Sequence, residues 1–188
     1  QCCQSPTGAT YESNLWSFTQ AGTHTFTYKA QYRLEVLSSY SSPSGADWYD
    51  EGSTTRASVA TNMTAGSDGV RYVFVRWEGD ASGHATTSDP IPMNGPKKAV
   101  AKWKTQYILR VSSDPVGMFS PFTQWFDAGS VAEFRPPEGK VGPDIRYVFS
   151  GWFGDHTGTS PEASVHMNGP KSVTAMYKAE YLLSVTIT

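Results

Sequence analysis

Ala99-Val100-Ala101-Lys102-Trp103-Lys104-Thr105-Gln106-Tyr107-Ile108-Leu109-Arg110-Val111 passes without a Gly, Pro, Asn or Asp. Ala101, Trp103, Tyr107, Leu109 and Val111 share one parity, and Lys102, Lys104, Gln106 and Arg110 share the other. That is the period of two imposed by a pleated strand. At ~3.3 Å per residue the stretch spans roughly 40 Å, enough for one strand to close one body and open the next.

What flanks this seam is one unit written twice, over residues 31–105 and 106–179. Gln31-Tyr32-Arg33-Leu34-Glu35-Val36 returns as Gln106-Tyr107-Ile108-Leu109-Arg110-Val111, and Trp48-Tyr49-Asp50-Glu51-Gly52-Ser53 returns as Trp125-Phe126-Asp127-Ala128-Gly129-Ser130. Arg71-Tyr72-Val73-Phe74 with Trp77-Glu78-Gly79-Asp80 becomes Arg146-Tyr147-Val148-Phe149 with Trp152-Phe153-Gly154-Asp155, and Met93-Asn94-Gly95-Pro96-Lys97 becomes Met167-Asn168-Gly169-Pro170-Lys171. A period of about 75 residues suits one small domain per copy. Strict alternation is expected from Tyr72 to Trp77, and the Asn-Gly-Pro triplets are expected to turn with Asn and Gly at positive φ. No segment holds a 3.6-residue period. The expected fold is all-β: two tandem small β-sandwich, immunoglobulin-like modules, at 31–105 and 106–179, joined by continuous strands.

The seam occurs three times although there are two bodies. His24, Phe26, Tyr28, Ala30, Tyr32, Leu34 and Val36 form the first, and Val173, Ala175, Tyr177, Ala179, Tyr181, Leu183, Val185 and Ile187 form the last. Residues 1–30 then read as an incomplete N-terminal β module, with Tyr11, Leu15, Trp16, Phe18, Phe26 and Tyr28 as its acceptor residues. Residues 180–188 read as an opening strand with an uncovered apolar side of Tyr181, Leu183, Val185 and Ile187. Such edges are seldom left in water. The expectation is donor-strand complementation, in which residues 180–188 of one copy complete the N-terminal module of the next. Head and tail differ, so the contact is heterologous and propagates into a filament unless it closes a ring. Two alternatives stay open: the chain is a piece of a longer array, or residues 180–188 fold back on residues 9–22 of their own molecule.

These motifs, four in order and twice over about 150 residues, resemble the divergent internalin-B-type repeats of bacterial and archaeal cell-surface and secreted proteins. The resemblance implies an extracellular β-rich stalk, adhesion or assembly module without catalytic residues. Arg76 departs from it where the second copy has Gly151, and the first 22 residues lie outside it.

Composition narrows the classes further. The chain has 188 residues, 15 Lys+Arg against 17 Asp+Glu and no charge block, so no nucleic-acid partner is expected. The longest stretch free of Asp, Glu, Lys and Arg, Ser13 to Tyr28, is rich in Ser, Thr, Asn and Gln, so no membrane insertion is expected either. A first residue of Gln fits a chain from which a secretion leader has been cleaved.

No nucleophile elbow, zinc-protease helix or phosphate loop is present in the sequence, so neither catalysis nor a cofactor is expected. Asp80 with His84, and Asp155 with His156, offer too few ligands for a metal; the two Asp are expected to accept backbone N–H groups. Cys2 and Cys3 are the only cysteines. Neighbours ~3.8 Å apart at Cα are too close for an easy bond to each other, so they are candidates for intersubunit disulfides. Asn62-Met63-Thr64 is a glycosylation sequon. Trp77 and Trp152 read as core. The second copy's loop from Pro115 carries Met118, Phe119 and Phe122, an apolar set expected to touch a neighbouring subunit, with cell-wall glycan as runner-up. The function expected is a secreted structural subunit whose partners are copies of itself; the alternative is a monomeric adhesion or carbohydrate-binding surface repeat array.

Overall fold

The computed structural model describes residues 27–185, and every regular element among them is a strand. The strands are β1 (Gln31–Leu37), β2 (Pro43–Ser44), β3 (Asp47–Asp50), β4 (Thr54–Thr55), β5 (Ser58–Val59), β6 (Met63–Ala65) and β7 (Val70–Gly79). There follow β8 (Ile91–Pro92), β9 (Lys97–Asp114), β10 (Phe122–Asp127), β11 (Val131–Phe134), β12 (Ile145–Gly154), β13 (Ala163–His166) and β14 (Lys171–Tyr181). The chain divides into two compact units: the described residues through Thr64 with Val73–Trp103, and Ala65–Tyr72 with the described residues from Lys104 onward. The uninterrupted stretch 99–111 lies within β9, 18 residues long.

In the first unit β1 lies antiparallel to β3, with Gln31 opposite Asp50 and Leu34 opposite Asp47, and parallel to the start of β9, with Val36 opposite Ala99. The pleat sends Leu34, Val36, Ala99 and Ala101 to one side, where they meet Phe74 and Trp77 of β7 and Ile91 and Met93. The short pair β2–β5 adds Val59 to that core, β4–β8 carries Ile91, and Ala57 joins them from between β4 and β5.

The second unit repeats the plan. The later part of β9 is antiparallel to β10, with Gln106 opposite Asp127 and Ile108 opposite Trp125, and parallel to β14, with Val111 opposite Val173. β14 lies antiparallel to β12, and β11 to β13. Leu109, Val111, Trp152, Val165, Met167, Val173 and Ala175 form the core.

Two local expectations are corrected. Strict alternation puts Phe74 and Trp77 on opposite faces, yet both are buried, with ring centroids 5.6 Å apart. In the second unit the equivalent pair is brought together by a bulge: the ladder shifts register between Phe149 and Gly151, and the extra residue turns Trp152 toward Phe149, 5.3 Å away. A bulge re-aims every later side chain.

The Asn-Gly-Pro triplets do not take positive φ. No described non-glycine residue does, and neither Gly95 nor Gly169 is among the glycines that do. Proline drives the residue before it into extended backbone, and that overrides glycine's freedom. In the Gly-Ser motifs, by contrast, Gly52 and Gly129 are left-handed, at φ 78° and 83°, just past β3 and β10. There the Gly52 N–H donates to the Met93 carbonyl and the Met93 N–H to the Ser53 carbonyl, both at 2.9 Å. Gly129, Met167 and Ser130 repeat this bonding, also at 2.9 Å. The Gly-Ser and Met-Asn-Gly motifs are two halves of one clasp, and each Met is fully buried beneath it.

Candidate functional site

The three opening strands carry matching residues in matching places, so two of them serve as references for the third. Leu34, Leu109 and Leu183 correspond, as do Val36, Val111 and Val185. Leu34 and Leu109 are 0% and 1% exposed; Leu183 is 84% exposed. Val36 and Val111 are buried, whereas Val185 is exposed, together with Tyr181 and Leu182. β14 ends at Tyr181, and among the described residues 182–185 have no strand partner. Ile187 lies outside the described residues, as do Tyr11, Leu15, Trp16, Phe18, Phe26, Cys2 and Cys3. Of the acceptor set only Tyr28 is described.

Beside each of the two later opening strands stands a turn from the preceding repeat. The segment 65–72 packs within the second unit: the Ile108 N–H donates to the Gly69 carbonyl at 3.0 Å, and Arg71 Nε donates to Gln106 Oε1 at 2.8 Å. The Arg71 guanidinium lies over the Trp125 ring, 4.4 Å from its centroid. In the second repeat the Leu182 N–H donates to the Asp144 carbonyl at 3.0 Å, and Arg146 Nε donates to Glu180 Oε2 at 2.8 Å. The same grip is therefore repeated on the third opening strand. An open cleft of about 350 Å³ lies there, lined in part by Val141, Asp144, Ile145, Arg146, Glu180 and Leu182.

The polar residues show one difference. Gln31 Nε2 donates to Asp50 Oδ1 at 2.8 Å, and Lys29 Nζ lies 3.4 Å from Asp50 Oδ2. Gln106 Nε2 donates to Asp127 Oδ1 at 2.7 Å, and Lys104 Nζ lies 2.9 Å from the same oxygen. The amide bonds and then the lysines hold both aspartates below the ordinary carboxylate range. At the third seam the glutamine is replaced by Glu180, which takes Arg146 at 2.7 Å and Lys178 at 3.4 Å. Its carboxyl is lowered first by Arg146 and then by Lys178. The change from Lys-x-Gln to Lys-x-Glu carries this signal in the sequence, but its meaning is hidden there because the Asp partners are distant in the chain.

The remaining sequence candidates take these places. Met118 and Phe119 are half-buried against the second core, while Phe122 is 42% exposed. Asn62 is exposed just before β6. Trp77 and Trp152 are core residues, donating Nε1–H to the Ala85 and Ser160 carbonyls, both at 3.1 Å. Asp80 Oδ2 accepts the Lys98 N–H at 2.8 Å and Asp155 Oδ2 the Ser172 N–H at 2.7 Å, so each aspartate ties its loop to the closing strand. Among the described residues no group of three or more His, Cys, Asp or Glu is placed to hold a metal. No helix among them is long and apolar enough to cross a membrane.

Residues 140–181 match the divergent InlB B-repeat domain family, the repeat type that the motifs resemble. The match covers β12, β13 and β14, the strands that carry the Trp152 core and the Glu180 seam. No curated protein and no solved structure matches the chain.

Proposed function

We propose that the chain is a structural subunit of an extracellular filament or surface appendage, in which the strand beginning at Glu180 completes the N-terminal module of a neighbouring copy. The observation that carries this is the fate of one leucine position: sealed at Leu34 and Leu109, and 84% exposed at Leu183. Covering Leu183 and Val185 as their counterparts are covered stabilises by roughly 1.5–3 kcal/mol each, with ladder hydrogen bonds added. A donor strand is necessarily unpaired in a lone chain, so the exposure is compatible with this role. The two units act as sandwich modules, a reading supported by the way the short strand pairs share a core with the longer strands. Surface-repeat resemblance and the exposed sequon asparagine support an extracellular setting.

Removing residues 180–188 tests it. Sedimentation velocity and electron microscopy of the full chain are expected to show concentration-dependent, end-to-end assemblies, and the shortened chain is expected to stay dispersed. A full chain that remains single at every concentration and binds cell-wall glycan equally well with or without these residues would establish the monomeric adhesion array instead.

A further inference from the structure

We infer that Glu180 selects the strand that covers residues 180–185, and that the selected strand is Leu15–Gln20 of a second copy, laid antiparallel with Gln20 opposite Glu180. This rests on the head-to-tail reading above and adds to it a register and a chemical reason for that register.

The two covered seams define what a covering strand must offer. Opposite Gln31 stands Asp50, and opposite Gln106 stands Asp127. In each case an amide donates to an aspartate beside a lysine. Glu180 inverts the arrangement. The third seam supplies its own carboxylate, already paired with Arg146 and Lys178. A further copy of the Trp-Tyr-Asp or Trp-Phe-Asp strand would set an aspartate directly opposite that carboxylate, and like charges directly opposite destabilise a strand pair. The fitting strand therefore carries a hydrogen-bond donor there, with an aromatic residue two positions earlier.

The sequence of this chain contains a stretch with those residues. Phe18-Thr19-Gln20-Ala21-Gly22-Thr23 has the spacing of Trp125-Phe126-Asp127-Ala128-Gly129-Ser130, with an amide in place of the aspartate. Carrying over the register of β10 on β9, in which Asp127 faces Gln106, Trp125 faces Ile108 and Phe122 faces Val111, sets Gln20 opposite Glu180, Phe18 opposite Leu182 and Leu15 opposite Val185. Gln20 then donates to Glu180, the earlier amide–carboxylate bond with its partners exchanged. Phe18 takes the place that Trp125 holds beside Arg71 and Ile108, whose counterparts Arg146 and Leu182 line the open cleft.

A charge exchange in the full chain tests the pairing, with association measured by sedimentation velocity over a concentration series. Gln20→Asp is expected to weaken association by roughly fivefold or more, and the double variant Gln20→Asp with Glu180→Gln to return it to within about twofold of the parent, because the pair then has the chemistry of Gln106 with Asp127. Gln20→Lys, which keeps a donor, is expected to associate at least as well as the parent. Circular dichroism checks that each variant is folded. Equal weakening by Asp and Lys, no weakening by Asp, or no recovery in the double variant overturns the pairing. If removing residues 180–188 abolishes assembly while Gln20→Asp does not weaken it, the head-to-tail reading stands and this register falls. If the parent never associates, both fall together, and a Gln20–Glu180 coupling seen only in the stability of a single chain assigns the contact to one molecule.

Discussion

Leu109 and Leu183 stand at one place in two copies of one strand, the first sealed and the second almost wholly open. The polar residues nearby differ in a matching way. Gln106 is an amide relay between Arg71 and Asp127, whereas Glu180 collects Arg146 and Lys178, with no covering-strand residue among the described residues. Parity decides which side of a strand is able to be buried. Burial itself is supplied by the strands alongside, β10 and β14 in the case of Leu109. The seam that lacks such neighbours among the described residues has its charges satisfied locally while its apolar side remains open.

The largest test of this comparison concerns the references, because the third seam is interpretable only if the two units are equivalent bodies. Each is built around a tryptophan: Trp77 beside Phe74, and Trp152 at 5.0 Å from Phe134 and 5.3 Å from Phe149. Truncating either one removes a buried ring and leaves a cavity. Trp77→Ala and Trp152→Ala are each expected to destabilise their own unit by about 3–5 kcal/mol. Hydrogen exchange resolved by peptide reads the loss unit by unit. A neutral result at either position would break the equivalence and remove that unit as a reference.

The seams were legible in the sequence because period-2 patterning is local: Ala99, Ala101, Leu109 and Val111 are buried as their shared parity requires. The bulge between Phe149 and Gly151 was not legible, since a single extra residue leaves composition unchanged and shows itself only when two aromatics of opposite parity are found in one core. The Asn-Gly-Pro triplets misled because the turn preference of Asn-Gly yields to the extended preference imposed by the following proline. For the candidate site, the apolar residues Tyr181, Leu183 and Val185 could be named from alternation. The meaning of Glu180 could not, because it depends on a pairing with Asp50 and Asp127 that lies about 20 residues away in each earlier copy.

A smaller effect sharpens the equivalence of the two loops. Asp80 and Asp155 accept the backbone N–H groups of Lys98 and Ser172, and both follow a glycine, Gly79 or Gly154, whose positive φ brings the loop against the closing strand. A Cβ at either glycine would run into the carbonyl of Lys98 or Ser172. Asp80→Ala and Asp155→Ala each leave one strand N–H without its acceptor and are expected to cost about 1 kcal/mol in urea unfolding. The Asn variants keep an acceptor oxygen and are expected to recover much of that loss. Equal losses for Ala and Asn would show that charge, through Lys97 and Lys171, matters more than the N–H bond.

The smallest effect separates the seams by acid. Asp50, Asp127 and Glu180 all have carboxyls held below their ordinary values, so the folded state binds protons less readily than the unfolded one. Their contribution is fully present above the unfolded values, 3.8 for the aspartates and 4.5 for the glutamate, and is lost as pH falls through the lower folded values. These groups are exposed and solvent-screened, so the melting temperature is expected to move by only roughly one or two degrees. The distinction lies in which substitution flattens which part of the acid slope. Glu180→Gln is expected to remove the portion that begins just below pH 4.5, and Asp127→Asn the portion that begins just below pH 3.8. If Glu180→Gln leaves the acid slope unchanged, the Arg146 and Lys178 contacts contribute nothing in solution, and the third seam has no carboxylate held in place to choose its covering strand.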